Sequence, residues 1–215
     1  MKRFLSTLLL SSGMLAVVMY LLHVVIGGYL WETYSHLQQP ISDLTATGAP
    51  DRALMLLLTN TYGLFALIFA VAFTFLVRKE RHKLVFLGGI SFIILHLVSI
   101  SYSFFPQDLP GAELSFAGMM HLVVTGLIVP FTILSPLLIG LGLKKEKAWK
   151  GLGHFSISCG VLIIVFGGLS GYFFANKLPY FGLVERLNIG TLQLWTFILS
   201  YRMVNAKADS LSKLF

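Results

Sequence analysis

The chain has 215 residues, of which 56% are hydrophobic and only 12% charged, and its mean hydropathy is +0.83. Soluble domains carry about 25% charged residues, so a water-soluble globular domain is excluded and a lipid bilayer is the solvent that fits. The net charge of +7 does not point to nucleic acid, because the basic residues lie in short loops and tails rather than on one domain.

Six apolar runs follow in chain order, at about 4–31, 53–77, 84–105, 117–143, 152–175 and 184–201. Each is near or above the roughly 17–25 residues that a helix needs to cross the hydrocarbon core. The first follows Met1-Lys2-Arg3. Its apolar part is about twice the 7–15 residues of a signal peptide and ends in no small-x-small site, so a retained helix is expected. The fourth run contains Pro130 and Pro136, which remove backbone donors and are expected to bend it. Cys159, the single cysteine, lies in the fifth run and has no partner for an internal disulfide.

The connections alternate in charge. The N-terminus, the segments 78–83 and 144–150 and the C-terminal tail hold thirteen Lys and Arg residues, and the other three loops hold only Arg52, Lys177 and Arg186. By the positive-inside rule both termini face the cytoplasm, which agrees with an even number of spans. The acids lie the other way: Glu32, Asp43, Asp51, Asp108, Glu113 and Glu185 all fall on the outer side. Acidic residues contribute little to topology, so insertion does not explain their position.

The first outer loop contains the polar run QQPISDLTATGAPDR, residues 38–52. Part of it reads as helix entry: Gly48 permits a turn, Pro50 suits a first helical position, and Asp51 favours the helix N-terminus. Ser42 fits a cap for a short turn, which leaves Asp43 free to point elsewhere. In the second outer loop Pro106 and Pro110 stiffen the chain around Asp108. In the third, Glu185 and Arg186 stand where the sixth span begins. Adjacent helical residues diverge by about 100°, so each is expected to find another partner, with Asp43 or Asp108 suited to Arg186. Headgroup-layer anchoring is the alternative for this pair.

Counting inward from the outer helix ends places His23, Asn60, His96, His121 and Gln193 roughly 6–13 Å deep. Five helices thus carry a polar side chain in the outer half, and Ser170 adds one among glycines on the fifth. Unpaired polar groups do not stay in hydrocarbon, so these side chains are expected to face one another beneath the outer loops. His82 and His154 fall toward the inner ends and are expected at the surface. His23, His96 and His121 with a carboxylate make a possible zinc set, and a zinc-bound hydroxide with Asp43 or Glu185 as the catalytic base would hydrolyse a lipid ester or amide. No His-x-x-x-His spacing supports that set. A clamp by Arg186 on an anionic headgroup needs no metal.

Together, PISDLTATGAP after the first span, FPQD before the fourth, the histidine soon after it and GLVERLNIG opening the sixth resemble the domain-of-unknown-function family numbered 998, bacterial and archaeal six-span membrane proteins. The resemblance runs from about His23 to Trp195. It implies the six-helix fold, draws attention to Ser42, Asp43, Asp108, His121, Glu185 and Arg186, and brings no activity.

The expectation is therefore an all-α polytopic bundle, one domain of six transmembrane helices, in the inner or plasma membrane with both termini cytoplasmic. Its leading function is an outward-facing pocket that binds the polar end of a membrane lipid or similar amphiphile through Ser42, Asp43, Asp108, Glu185, Arg186, Asn60 and Gln193. The alternatives are a zinc-dependent intramembrane hydrolase and a small transporter.

Overall fold

The computed structural model describes residues 2–77 and 82–206, with side chains from Leu5 onward. The basic segment 78–81 and the tail 207–215 of the charge count lie outside the described residues. Six long helices make up the chain: α1 (Lys2–Leu30), α2 (Arg52–Leu76), α3 (Lys83–Ser99), α4 (Phe116–Leu143), α5 (Lys150–Ala175) and α6 (Phe181–Val204). Short 3-10 turns stand at Ile41–Thr45 and, continuing α3, at Ile100–Ser103. There is no strand among the described residues. The first five helices are long and apolar enough to cross a membrane. The α6 segment, which carries Glu185, Arg186, Asn188 and Gln193, is less apolar than these.

Each helix packs on its neighbours in sequence and α6 returns to α1, so the helices close a ring. Consecutive helices are antiparallel, as paired contacts show: Gly13 meets Phe69 and Gly27 meets Met55 between α1 and α2, and Gly88 meets Ile139 and Gly142 meets Val85 between α3 and α4. One end of the ring therefore holds both described ends of the chain, Val77, His82 and the 143–150 connection. The other, the long-loop end, holds residues 31–51, 100–115 and 176–180.

Toward the terminal end the interior is filled by large apolar side chains. Phe69, Phe73, Phe92, Ile139, Leu143, Trp149, Trp195, Leu199 and Met203 are all buried in one cluster. Trp195 sits edge-on to Phe92 with ring centroids 5.1 Å apart, and its indole N–H donates to Ser156 Oγ at 2.9 Å. That bond satisfies the one polar atom of an otherwise apolar anchor. Ser200 joins α6 to α1 by donating to Leu10 O at 2.6 Å and accepting from Met14 N–H at 3.1 Å. His82, expected at the surface, is buried, and its Nε2 lies 3.9 Å from Glu146 across the two connections at this end. His154 is exposed.

Here α4 and α5 touch closely. A Cβ on Gly140 would stand 2.7 Å from Gly153 O, and one on Gly160 would stand 2.6 Å from Leu137 Cδ2, so small residues let the two backbones approach. Toward the long-loop end the helices part. Gly126 on α4 and Gly168 and Gly171 on α5 have open space where a Cβ would stand. Around them Leu122, Val123, Leu127, Val129 and Pro130 on α4 and Ile164, Val165, Leu169 and Tyr172 on α5 are exposed. Each helix keeps one covered stripe there. That of α4 holds His121, which meets Phe105 O beyond α3, and that of α5 meets α6 at Gly167 and Asn188. A gap between α4 and α5 results. Both Pro130 and Pro136 lie inside the continuous helix α4.

Candidate functional site

The first long loop folds down onto the start of α6. A helix begins with backbone N–H groups that its own turns cannot satisfy, and loop carbonyls take them. Gly182 N–H donates to Gln38 O at 3.3 Å, Leu183 N–H to Leu37 O at 3.0 Å, and Tyr180 N–H to the Gln38 side-chain oxygen at 2.9 Å. Gly182 is required for this approach, because a Cβ there would meet Gln39 O, His36 O and the Arg186 guanidinium.

Glu185 and Arg186 lock the same loop from opposite directions. Glu185 Oε2 accepts the Ile41 N–H at 2.6 Å. Arg186 Nη1 donates to Gln39 O at 2.8 Å and Gly182 O at 2.9 Å, and its Nη2 donates to Tyr34 Oη at 2.6 Å and faces His36 Nδ1 at 3.3 Å. Among the described residues the guanidinium forms no ion pair with a carboxylate. The expectation that Asp43 or Asp108 would hold it is corrected: carbonyl, phenol and imidazole acceptors do so. Burial pushes the Tyr34 phenol up to about 12 against the opposing pull of Arg186. The His36 imidazole is lowered, first by desolvation and then by the same cation.

Asp43 is fully buried in the 3-10 turn. Its Oδ1 accepts from Gln107 Nε2 at 2.7 Å, and its Oδ2 accepts from Gln39 Nε2 at 3.4 Å. Burial raises its carboxyl to about 6, with the two amides and Arg186 opposing. Gln107 also accepts from Ser42 Oγ at 2.6 Å and, through its backbone oxygen, from Thr47 N–H at 3.1 Å. One glutamine thus ties the second long loop to the first. Ser42 does not cap the turn: Pro40 holds that position and offers no side-chain bond. The start of α2 also differs from expectation. Arg52 opens the helix, Asp51 stands before it in the left-handed region with φ 50°, and Gly48 turns the chain at φ 87°.

The roof formed by this loop is pegged by apolar contact. Leu44 is buried against Met55, and both lie over Gly27 of α1, with Tyr34 and Ile41 in the same cluster. Tyr20 packs beneath them. From Tyr20 a line of rings runs inward. Its ring lies 6.0 Å from His23 and 4.9 Å from Tyr62, and Tyr62 lies 6.0 Å from His96. Gln193 Nε2 donates to Tyr62 Oη at 3.0 Å. Below, His96 meets Phe92 at 4.7 Å, where the apolar core begins. His23, His96 and Gln193 are 2%, 3% and 4% exposed. Among the described residues, both ring nitrogens of His23, Nε2 of His96 and Oε1 of Gln193 have no hydrogen-bond partner. The same holds for Arg186 Nε above them and for Asn188 Oδ1 and Ser170 Oγ at the seam of α5 and α6.

The family model described as "Protein of unknown function (DUF998)" matches residues 14–202. The chain belongs to the DUF998 family. No curated protein and no solved structure matches it.

Not every residue expected in the DUF998 site joins this layer. His121 points Nδ1 at Phe105 O, 2.9 Å away, and stacks on Tyr102 at 4.6 Å, so it secures the second long loop to α4. Asp108 accepts both the N–H and the hydroxyl of Ser115 at 2.8 Å, while Ser115 caps α4 by accepting from Gly118 N–H at 3.0 Å. That is helix-entry chemistry. Asn60 is exposed and accepts from Ser103 Oγ at 2.6 Å. The alternative zinc set does not assemble among the described residues. His23 and His96 are separated by the Tyr20 and Tyr62 rings, His121 faces its own loop, and no group of three His, Cys, Asp or Glu residues among the described ones is placed to hold a metal ion.

Sequence reasoning missed Tyr20, Tyr34, His36, Gln39, Tyr62 and Gln107. Their signal was faint: tyrosines are ordinary in membrane helices, Gln107 acts on Asp43 from another loop, and Gln39 meets Arg186 through its backbone carbonyl. The loop residues that hold Arg186 begin at Tyr34, four positions before the polar run that drew notice at Gln38.

Proposed function

We propose that the protein is a multi-pass protein of the cell membrane with both termini cytoplasmic. Its outward-facing long-loop end receives the polar end of a membrane lipid or similar amphiphile. One observation carries the reading: His23, His96 and Gln193, from three different helices, hold deeply buried and unpartnered polar atoms along the line of the Tyr20 and Tyr62 rings under a docked loop. Each such atom, left unmet, costs about 1–3 kcal/mol, and a bound headgroup would meet several at once. The gap between α4 and α5 supports a tail lying toward the bilayer beside the bundle. Ser42, Asp43, Asp108, Glu185 and Arg186 then serve the roof and its seating. Asn60 lies at the rim, and Gln193 is the direct contact. Zinc-dependent hydrolysis and transport are carried by no comparable grouping among the described residues.

The test is native mass spectrometry of protein stripped of lipid and re-exposed to a total membrane lipid extract. One retained amphiphile per chain is expected, and the replacement pair His23→Phe and Gln193→Leu should remove it. Wild type that retains no amphiphile would sink the proposal.

A further inference from the structure

Resting on that reading, we infer that the polar end held at His23, His96 and Gln193 is uncharged and hydroxyl-bearing, as in a diacylglycerol or a long-chain alcohol. The unpartnered atoms themselves set this chemistry. Oε1 of Gln193 can only accept. An imidazole buried in an apolar span with no anion beside it is neutral, because ionising it there is costly. A neutral imidazole offers one donor and one acceptor, so the two free nitrogens of His23 offer a donor on one side of the ring and an acceptor on the other. A hydroxyl group also donates and accepts, and it matches this mixed set. A phosphodiester only accepts, and a quaternary ammonium offers no N–H donor.

The charged side chains of the long-loop end are held by the loop, and Arg186 keeps only its Nε–H unpartnered. Arg186 has both Nη groups on loop acceptors, Glu185 holds the Ile41 N–H, and Asp43 is held by Gln39 and Gln107. Arg186 also stands seven residues above Gln193 on α6, roughly 10 Å along the axis. A phosphate at the layer would face Gln193 Oε1 acceptor to acceptor, with the Arg186 guanidinium held above on the loop. The rings of Tyr20 and Tyr62 beside the layer suit the carbon skeleton of a polyol rather than a hydrated ion.

The experiment uses wild-type protein stripped of lipid in a non-ionic detergent. Dioleoylglycerol, dioleoylphosphatidylglycerol and dioleoylphosphatidylcholine are added at equal mole fraction, and occupancy is read by native mass spectrometry. Dioleoylglycerol should be retained at least tenfold more than either phospholipid. In Gln193→Leu that retention should fall at least fivefold, with the helical circular-dichroism signal unchanged. Equal or stronger retention of a phospholipid overturns the uncharged-headgroup inference while leaving the headgroup site in place. Retention of none of the three, together with nothing from the total extract, overturns both. The wild-type ranking decides the matter even where a variant does not fold.

Discussion

Replacing Asp43 with asparagine should make the protein more stable above neutral pH and remove much of its acid-side pH dependence. The side chain is fully buried and its carboxyl is raised from 3.8 to about 6, mainly by desolvation. A carboxyl whose folded pKa lies above its unfolded value binds more protons when folded. Its stabilising contribution is complete below about 3.8 and is lost as pH rises through about 6. At about 1.4 kcal/mol per pH unit the interval sets a ceiling near 3 kcal/mol, and solvent relaxation around a loop site brings it to about 1–2 kcal/mol. Asparagine keeps the shape, and its Oδ1 still accepts from Gln107 Nε2. Only the weaker 3.4 Å contact with Gln39 Nε2 is turned donor to donor. Arg186 and Glu185, the charged groups within electrostatic reach of Asp43, are unchanged. The assay is thermal unfolding in detergent from pH 4 to 7.5. Wild type should lose about 2–8 °C more than Asp43→Asn across that range. Parallel curves for the two proteins would refute the claim that burial, rather than an ion pair with Arg186, governs this carboxyl.

Arg186→Lys should free the first long loop, because one ammonium cannot reach Gln39 O, Gly182 O and Tyr34 Oη together. Hydrogen exchange of residues 34–43 should rise at least tenfold while α3 and α4 stay protected. Gly182→Ala should cost about 1–3 kcal/mol, since its methyl group meets Gln39 O and the guanidinium; the measure is the melting temperature, and an unchanged value would sink the docking geometry. Trp195→Phe should cost about 1–3 kcal/mol by leaving the Ser156 hydroxyl without its indole donor and opening space beside Phe92. That loss should be the same in lipid-free and lipid-bound protein, because the pair lies below the polar layer.

The helices were legible because hydropathy is summed over twenty residues and tolerates local error. The expected α4 at 117–143 and the observed Phe116–Leu143 differ by one residue. The start of α2 was misread because Pro50 and Asp51 are good helix openers by type, whereas Asp51 takes a left-handed turn before the helix. Depth counting set His23, His96 and Gln193 at a similar level, and all three are buried. The partners of Arg186 did not. Charge suggested Asp43, and a neutral set of carbonyl, phenol and imidazole groups cannot be read from a sequence in which nearly every residue offers a carbonyl. His121 was misplaced for a related reason: depth ranks side chains along an axis and says nothing about which way they face. The parting of α4 and α5 was also hidden, because leucine and valine look alike whether they meet a helix or an acyl chain.

The start of α6 is completed by atoms that lie between the first two helices. Ribosomal order delivers those atoms early and their acceptor-seeking N–H groups late. Until Tyr180, Gly182 and Leu183 emerge, the carbonyls of Leu37 and Gln38 have no such donors, and the flank of α1 that will bear Ser200 remains uncovered. Closure of the ring thus waits for α6, the least apolar of the six helices.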